Sequence, residues 1–395
     1  MSKVKKFILK QKKDIESYGA KELLRKLYLL FKVILQIPVD LIAAIPCIAI
    51  RLLRPWLIIR IERIPTGTFG NFVHEPSIYY CKKKLKIDQL NKKHTDLVYI
   101  HYKDKIYNKQ LAKMWKRKLN FLSGYLLAPI DRVNRFFPGW KIHSIPDITT
   151  FVPREIEFEI EKCQALEFTS EEEIYGKKLL NKFGLKNNDK FVCLVVRDHA
   201  WSFTKPGFRN HDWTYHDYRH YNLDNFLLAA EELTKKGYYV FRMGVVAEKA
   251  FKSDNPKIID YANSNLRNDF MDIFLGAKCS FCISSGLGYE EVPNVFRRPI
   301  ILLTMPFGDF RSHSDRFFIL AKHHYLKKEN RRLTLSEIFS YGVAYCYKTE
   351  NFEKKGVEFV DNTPEEIKDV ALEMVEYLEQ KKKVKQRRRR IAKKL

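Results

Sequence analysis

The chain has 395 residues, with 72 lysines and arginines against 47 aspartates and glutamates, and a formal net charge of +25. Because a single hydrophobic core stops growing at roughly 250–300 residues, this length predicts two domains. The seven cysteines are odd in number and irregularly spaced, which excludes a secreted disulfide framework and favours a reduced, cytoplasmic setting.

The first segment, residues 1–55, combines a basic run with the most apolar stretch of the chain. A spanning helix needs about 20 predominantly apolar residues, and Pro38, Pro46 and scattered charges interrupt every window of that length. We therefore expect N-terminal membrane-associating helices that hold the protein on the inner face of the cell membrane, as a peripheral or monotopic protein. A buried helical hairpin and a single spanning helix are the alternatives.

Residues 56–160 predict an N-terminal Rossmann-like domain. A strand at 56–61 runs into a glycine-containing loop, and a helix is expected near 77–84. Such a loop can present backbone amides to an anion or a sugar hydroxyl, although an ordinary turn gives the same pattern. The candidate binding residues in this loop are Gly67, Thr68, Gly70 and Asn71.

The remainder predicts a linker helix at 161–189, a C-terminal Rossmann-like domain at 190–345, and a helix with a polybasic tail at 346–395. A capping pattern at Thr169 starts the linker helix. Alternating strand and helix patterns predict parallel strands joined by right-handed crossovers. The predicted strands are 190–196, 238–243, 257–261, 279–284 and 299–304, and the predicted helices are 223–235, 269–277 and 289–296.

Polar and glycine clusters follow three of these strands, at the ends where open α/β sheets bind ligands. Arg197 and Arg242 could hold phosphates, and free amides of the serine–glycine run at 284–288 could assist them. Glu290 or Glu291 could reach a ribose diol. The alternatives are paired structural arginines and surface carboxylates favoured by a helix dipole. The candidate substrate-binding residues are Arg197, Asp198, Arg242, Gly244, Ser284, Ser285, Gly286, Gly288, Glu290 and Glu291.

The sequence Tyr215-His216-Asp217-Tyr218-Arg219 lies between the first two clusters and is too polar for a core. Tyr215, Tyr218 and Arg219 are candidate substrate-binding residues. Asp217 or His216 is the candidate catalytic base, because a carboxylate beside an imidazole can have its proton affinity tuned. Both could instead orient the loop.

The runs Asp212-Trp-Thr-Tyr-His-Asp-Tyr-Arg219 and Arg267-Asn-Asp-Phe-Met-Asp-Ile-Phe-Leu275, with Ile283-Ser-Ser-Gly286, resemble a family of bacterial glycosyltransferases from surface-polysaccharide and O-antigen gene clusters. The resemblance covers residues 190–310 and departs at His220, where the family more usually has Asn. It implies an α/β, GT-B-like fold with two Rossmann-like domains facing a cleft. The donor would be held by the C-terminal domain and the acceptor would face the N-terminal one.

The predicted function is transfer of a sugar from a nucleotide-sugar to a glycan or lipid-linked acceptor in bacterial surface polysaccharide synthesis, including lipopolysaccharide. The chain has no Asp-x-Asp sequence, so we expect metal-independent transfer without a cofactor beyond the donor. Cys279 and Cys282 fall within one strand pattern and do not predict a zinc site.

The expected partners are the nucleotide-sugar, the acceptor and an anionic membrane surface. Nucleic acid is not expected, because aromatic residues are not interleaved with the basic tails. The alternatives are a sugar-nucleotide epimerase or a pyruvyl or phosphate-group transferase on the same scaffold, a basic nucleic-acid-binding protein, and a membrane-bound scaffold without catalysis.

Overall fold

A computed structural model describes residues 3–87, 90–146, 158–198, 200, 214–245, 247, 249–303 and 314–392. His199 and residues 212–213 of the predicted motifs lie outside the described residues. The contacts group the chain into two compact units. Unit 1 comprises Met1–Ile64, Leu90–Lys103 and Asn120–Pro146, and unit 2 comprises Pro65–Gln89, Asp104–Leu119 and Asp147–Leu395.

In chain order the helices and strands are α1 Lys3–Leu52, β1 Ile58–Arg63, α2 Phe69–Leu85, β2 His94–Tyr99, α3 Lys109–Lys116, α4 Gly124–Asn134, α5 Phe158–Lys162, α6 Ser170–Lys182, β3 Lys190–Val195, α7 Leu227–Lys235, β4 Tyr238–Arg242, β5 Ile258–Ile259, α8 Asp269–Lys278, β6 Phe281–Ser284, α9 Glu291–Val295, β7 Ile300–Leu302, β8 Phe317–Ile319, β9 His323–Leu326, β10 Arg331–Arg332, α10 Leu335–Ser340, α11 Thr349–Glu353, β11 Val357–Val360 and α12 Pro364–Ala392. Short 3-10 helices include Thr214–Arg219, Leu223–Phe226 and Gly288–Glu290.

Unit 2 is built on a six-stranded sheet in the order β5-β4-β3-β6-β7-β8. Every neighbouring pair is parallel, which confirms the predicted α/β class. Successive strands run outward from β3 in one direction and from β6 in the other. The direction of winding therefore reverses between β3 and β6, the position at which doubly wound sheets open a ligand crevice.

Both faces of this sheet are covered, as the continuous apolar strand patterns require. Val192 and Leu194 of β3 pack on one face in a cluster that includes residues of α7 and α12. Cys193 and Val195 pack on the other face, in a cluster that includes residues of α8. Cys282 belongs to that second cluster, where burial raises the pKa of its thiol, so the cysteine pair at 279 and 282 fills the core.

The linker helix begins as predicted. Thr169 Oγ1 accepts a hydrogen bond from the backbone N–H of Glu172, and Glu172 Oε2 accepts one from the backbone N–H of Thr169. This reciprocal pair satisfies two of the donors that a helix start leaves open. The capping sequence is therefore a local signal that the structure confirms.

A three-stranded antiparallel sheet, in the order β10-β9-β11, was not predicted. Its strands are two to four residues long, too short for a periodic pattern, and β9 pairs with β11 about 30 residues away. The sheet spans the predicted boundary at residue 345. The predicted 56–160 domain is likewise divided, since β1 and β2 form a parallel pair in unit 1 whereas α2 and α3 belong to unit 2.

The N-terminal segment corrects one sequence expectation. Pro38 and Pro46 do not break it, because both lie inside α1, which is interrupted only at Gly19 with φ 64°. Within α1, Leu23–Leu52 is long and apolar enough, judged by length and composition alone, to cross a membrane. Neighbouring contacts can compensate for the hydrogen bond that a helical proline removes.

A buried ion pair provides a stability test for unit 1. Arg60 and Asp96 face each other in the register of β1 and β2, with Arg60 Nε 2.6 Å from Asp96 Oδ1 and Nη2 2.9 Å from Oδ2. Asp96→Ala leaves a buried guanidinium unpaired and is expected to lower the free energy of unfolding by about 3–5 kcal/mol in urea denaturation. The exposed pair Lys235–Glu232 serves as control, and Glu232→Ala is expected to cause a much smaller loss of stability, because solvent screens an exposed ion pair. Equal losses in the two variants would contradict the assignment.

Candidate functional site

The loops that follow β3 and β6 are joined at the point where the winding reverses. The backbone N–H of Ser285 donates to the carbonyl of Val195 at 3.0 Å. Ser285 Oγ in turn accepts a hydrogen bond from the backbone N–H of Arg197 at 2.8 Å. Two segments that are 88 residues apart in sequence thus meet at one edge of the sheet.

The serine–glycine loop is held by its own hydrogen bonds. Glu290 Oε2 accepts from Ser284 Oγ at 2.6 Å and from the backbone N–H of Leu287 at 3.2 Å. The backbone N–H of Gly286, which has φ 86°, donates to Ser284 Oγ at 3.2 Å. The amides of Ser285, Gly286 and Leu287 are therefore not free for a ligand, which corrects the expectation of open amides here.

Glu290 and Glu291 are buried and are not surface carboxylates. Glu290 orders the loop, and Glu291 accepts a hydrogen bond from Asn294 Nδ2 at 3.0 Å. Contact of either carboxylate with a ribose remains a prediction. Each carboxylate already accepts hydrogen bonds from its own segment of the chain. Such bonds offset the free-energy cost of burying a carboxylate.

Arg242, at the end of β4, lies between two carboxylates. Its Nη2 is 3.3 Å from Asp198 Oδ2, and its Nη1 is 3.6 Å from Asp260 Oδ1. The side chain is 2% exposed, and its Nε and Nη1 have no hydrogen-bond acceptor within the part of the chain that the structure describes. Arg242 is closer to a paired structural arginine than to an open phosphate clamp. Beyond it, the Gly244 carbonyl accepts a hydrogen bond from Arg267 Nε at 3.1 Å.

Arg197, at the end of β3, has a different environment. It is 6% exposed, and burial lowers the pKa of its guanidinium to about 10, with a further lowering by the positive charge of Arg219. The neighbouring Tyr218, Tyr215 and Asp217 instead raise the pKa of Arg197. Arg197 stays charged at neutral pH, and the predicted cluster at 215–219 lies within electrostatic range of it.

That cluster forms the 3-10 helix Thr214–Arg219 and borders a cavity of about 580 Å³. Asp217 Oδ1 lies 3.4 Å from His220 Nδ1. Tyr218 instead packs in the core of the small antiparallel sheet, and its hydroxyl accepts from Arg219 Nε at 2.9 Å, which indicates a packing role. The side chain of His216 lies outside the described part of the structure. The cavity is lined by Thr214, Tyr215, Asp217, Lys348, Thr349, Glu350 and Glu353.

The predicted glycine loop belongs to unit 2, but Gly70 and Asn71 lie in the first turn of α2, and this turn packs on the serine–glycine loop. A Cβ atom built on Gly70 would stand 2.8 Å from Gly288 Cα, and one built on Gly288 would stand 2.9 Å from the Gly70 nitrogen. The rings of Phe69 and Tyr289 stack beside this contact at 6.0 Å. Gly70 therefore permits a close backbone approach, whereas the neighbouring Gly67, Thr68 and Asn71 are exposed.

The sequence interpretation missed Glu75. This residue of α2 is 8% exposed, burial raises the pKa of its carboxyl to about 7, and its Oε2 has no hydrogen-bond partner among the described residues. The available signal was a glutamate inside the apolar run 72–80. A carboxyl with a pKa near neutrality can exchange a proton under physiological conditions.

Among the described residues, no group of three or more His, Cys, Asp or Glu side chains is placed to hold a metal ion. No protein-family model matches the chain, and no curated protein matches it.

Three solved structures with some likeness to this chain are a glycosyl transferase and two heptosyltransferases. A glycosyl transferase family 9 protein from Veillonella parvula has a TM-score of 0.42 and 13% identity, covering 80% of this chain and 96% of its own. The E. coli ADP-heptose lps heptosyltransferase II has a TM-score of 0.37 and 13% identity, covering 66% and 90%. E. coli heptosyltransferase WaaC with ADP has a TM-score of 0.29 and 9% identity, covering 75% and 99%. At this level of similarity these structures establish neither the fold nor the activity of this chain.

The contact between Gly70 and Gly288 can be tested by adding one methyl group to Gly70. Gly70→Ala pushes a Cβ atom against the Gly288 backbone and is expected to lower stability by about 1–3 kcal/mol in thermal or urea unfolding. Gly67→Ala is the matched control, since its Cβ atom meets nothing within 4 Å, and a change within about 0.5 kcal/mol is expected. Indistinguishable stabilities for the two variants would show that Gly70 and Gly288 are not in contact.

Glu75 predicts a dependence of stability on pH. Its pKa in the folded state, about 7, lies above the ordinary value of 4.5, so its favourable contribution is complete below about pH 4.5 and is lost as the pH rises through 7. Glu75→Gln removes that loss, and its stability relative to the wild type should increase by about 2 kcal/mol between pH 5 and pH 8. Denaturant unfolding at both pH values measures this, with exposed Glu376→Gln as control. A relative stability that does not change with pH would refute the prediction.

Proposed function

We propose that this chain is a glycosyltransferase that moves a sugar from a nucleotide-sugar donor to a glycan or lipid-linked acceptor in bacterial surface polysaccharide synthesis. The observation that carries the proposal is the meeting of the loops after β3 and β6 where the winding reverses, which brings Arg197 and Ser285 to one edge of the sheet. Arg197 is buried and charged at the end of β3, and the charge of Arg219 opposes it. A guanidinium at this edge of the sheet can bind an anion with several charges, and the diphosphate of a nucleotide-sugar is such an anion.

The donor end of the site depends on side chains rather than on loop amides. Since the amides of Ser285, Gly286 and Leu287 already donate within the protein, the guanidinium groups of Arg197 and Arg219 supply the positive charge. Burial strengthens that interaction, because a charge in a low-dielectric site is poorly screened. The same two groups stabilise the negative charge that develops on the leaving diphosphate, so no metal ion is required in this proposal.

The acceptor end is assigned to Asp217 and the cavity that it borders. About 580 Å³ falls in the range of sites that hold small molecules. As the acceptor oxygen bonds to the anomeric carbon and the bond to the diphosphate breaks, a carboxylate oxygen of Asp217 accepts the hydroxyl proton. Lys348 and Tyr215 line the same cavity and can orient the acceptor. His216 is the second candidate base.

The proposal extends to a GT-B-like arrangement and to the inner face of the membrane. The parallel order of unit 2 matches the Rossmann-like donor domain of such enzymes. The basic segments at both ends of the chain favour a leaflet of anionic lipids, where lipid-linked saccharides would be available as acceptors. Membership of the O-antigen-type family that the motifs resemble is part of this proposal.

Two variants separate donor binding from chemistry. Arg197→Met is expected to weaken binding of the cognate nucleotide-sugar by about 10-fold to 100-fold, the worth of a charged hydrogen bond. Asp217→Asn is expected to keep that binding and to lower transfer by roughly 100-fold to 10,000-fold. A thermal-shift screen with UDP-, GDP-, CMP- and dTDP-sugars identifies the donor, because a ligand specific to the folded state raises Tm.

The control is Arg331→Met, which removes an arginine paired to Glu329 and Glu337 on the antiparallel sheet and should leave donor binding unchanged. Product analysis with and without an acceptor distinguishes the alternatives, since an epimerase converts its donor alone. If no nucleotide-sugar raises Tm, or if Arg197→Met binds the donor as the wild type does, the proposal fails.

A further inference from the structure

The C-terminal third of α1 is docked on unit 1. Asp40 forms an ion pair with Arg132 of α4, and Cys47 Sγ donates to the carbonyl of Ile130 at 3.3 Å. Ala43 and Cys47 are buried in the same core cluster as residues of β1 and α4. From Asp40 onward, therefore, one face of α1 is covered by protein.

The opposite face of this part of α1 is apolar and open. Leu41, Ile45, Ile48 and Leu52 follow one another at intervals of three or four residues, which places them on one stripe of a helix. Their exposures are 68%, 69%, 49% and 69%. A helix that is apolar on both faces is normally covered on both, and the protein covers only one here.

The same stripe continues through the first half of the helix. Leu23, Leu27, Leu30 and Ile34 precede it in the same helical phase and are all exposed. The polar residues Arg25, Lys32 and Gln36 lie in phase with Asp40 and Ala43, on the side that later docks on α4. The helix from Leu23 to Leu52 thus carries one continuous apolar ridge, about 45 Å long at 1.5 Å per residue. We define this ridge as Leu23, Leu27, Leu30, Ile34, Leu41, Ile45, Ile48 and Leu52.

Charge identifies the partner that covers the ridge. Nine lysines and arginines but only three acidic residues precede Leu27. This balance suits anionic headgroups and opposes packing against a second copy of the same basic segment. The exposed apolar surface runs along the length of the helix and includes Leu24, Phe31, Leu35 and Ile42 beside the ridge, as expected for contact with lipid acyl chains.

The polar stripe decides how the helix meets the bilayer. A helix that crossed the membrane would carry Lys32 into the hydrocarbon at a cost of about 3 kcal/mol, and would place the basic N-terminus on the far side against the positive-inside tendency. Lying in the plane of the interface removes both penalties. The long side chain of Lys32 then reaches the headgroups, and its Nζ lies over the ring of Tyr28, 4.2 Å from the ring centroid.

We propose that α1 lies in the plane of the cytoplasmic leaflet with its ridge in the acyl region, and that both of its ends stay on the cytoplasmic side. The polar stripe and the α4-docked face form the side that faces away from the lipid. The inference does not depend on the transfer chemistry, because it concerns unit 1 alone.

The ridge is tested with the full-length protein and vesicles of phosphatidylethanolamine and phosphatidylglycerol in a sedimentation assay. The double variant Ile34→Glu, Ile45→Glu is expected to lower the vesicle partition coefficient at least 10-fold, through lost apolar burial and two added charges. The matched control makes the same change of −2 in net charge on the other side of the helix, as Gln36→Glu and Lys32→Gln, and should retain more binding than the ridge variant even though it loses electrostatic attraction. Unchanged Tm values show that both variants fold, since the substituted side chains are not buried.

Equal losses in the two double variants, or a wild type that does not sediment with these vesicles, would overturn the proposal. The orientation is read from Ser2→Cys in inside-out and right-side-out membrane vesicles with an impermeant thiol reagent, with exposed Lys383→Cys as the cytoplasmic marker. Equal labelling patterns for both cysteines support the in-plane helix, and labelling of Ser2→Cys from the opposite side would show a spanning helix. If the chain transferred no sugar, these results would be unaffected, so the two proposals fail separately.

Discussion

The reversal of winding between β3 and β6 is the constraint on which the candidate site depends. Crossovers leave these two central strands in opposite directions, and the loops after them meet at the carboxyl edge of the sheet, the position at which doubly wound sheets bind ligands. The hydrogen bond from the backbone of Arg197 to Ser285 Oγ fixes the separation of the two loops. A second layer of support comes from α2, whose first turn reaches the serine–glycine loop through Gly70 and Gly288.

Two arginines that look alike in sequence, Arg197 and Arg242, are both buried but have different charged neighbours. Arg242 sits between Asp198 and Asp260, so its charge is balanced within the protein. Arg197 is close to a second positive charge, and burial disfavours its charged form. Tyr218, Tyr215 and Asp217 counteract this effect and raise the pKa of Arg197. The buried carboxylate of Glu290 is likewise engaged within the protein, because it accepts hydrogen bonds from the loop that it orders.

A different constraint applies to unit 1. Its helix α1 is apolar along most of its length, but only a small part of its surface is covered by other residues. α4 covers one face of α1 after Asp40, and the ridge on the other face continues unbroken from Leu23. Lysines and arginines in the polar phase set the orientation that such a helix can adopt at a lipid surface. The two proposals therefore assign anchoring and sugar transfer to separate sets of side chains.

The sequence by itself determined what is local. The strands β3, β4 and β6, the capping box at Thr169 and the parallel α/β class follow from periodicity and from side chains that bond within their own turn. Part of the candidate site could also be predicted from the sequence, because polar clusters at strand ends mark one edge of a sheet. Arg197 and Ser285 were predicted from such clusters, and Asp217 from the polar sequence between the first two.

Only the tertiary structure decided which of those groups are engaged. The use of the Gly286 and Leu287 amides, the two carboxylates around Arg242, the packing of Tyr218, the contact of Gly70 with Gly288 and the burial of Glu75 all involve partners that no local pattern identifies. The same holds for the sheet of β9, β10 and β11 and for the face of α1 that α4 covers. The physical reason is that charge balance and close packing depend on residues distant in sequence, whereas periodicity reports only the chain's immediate neighbours.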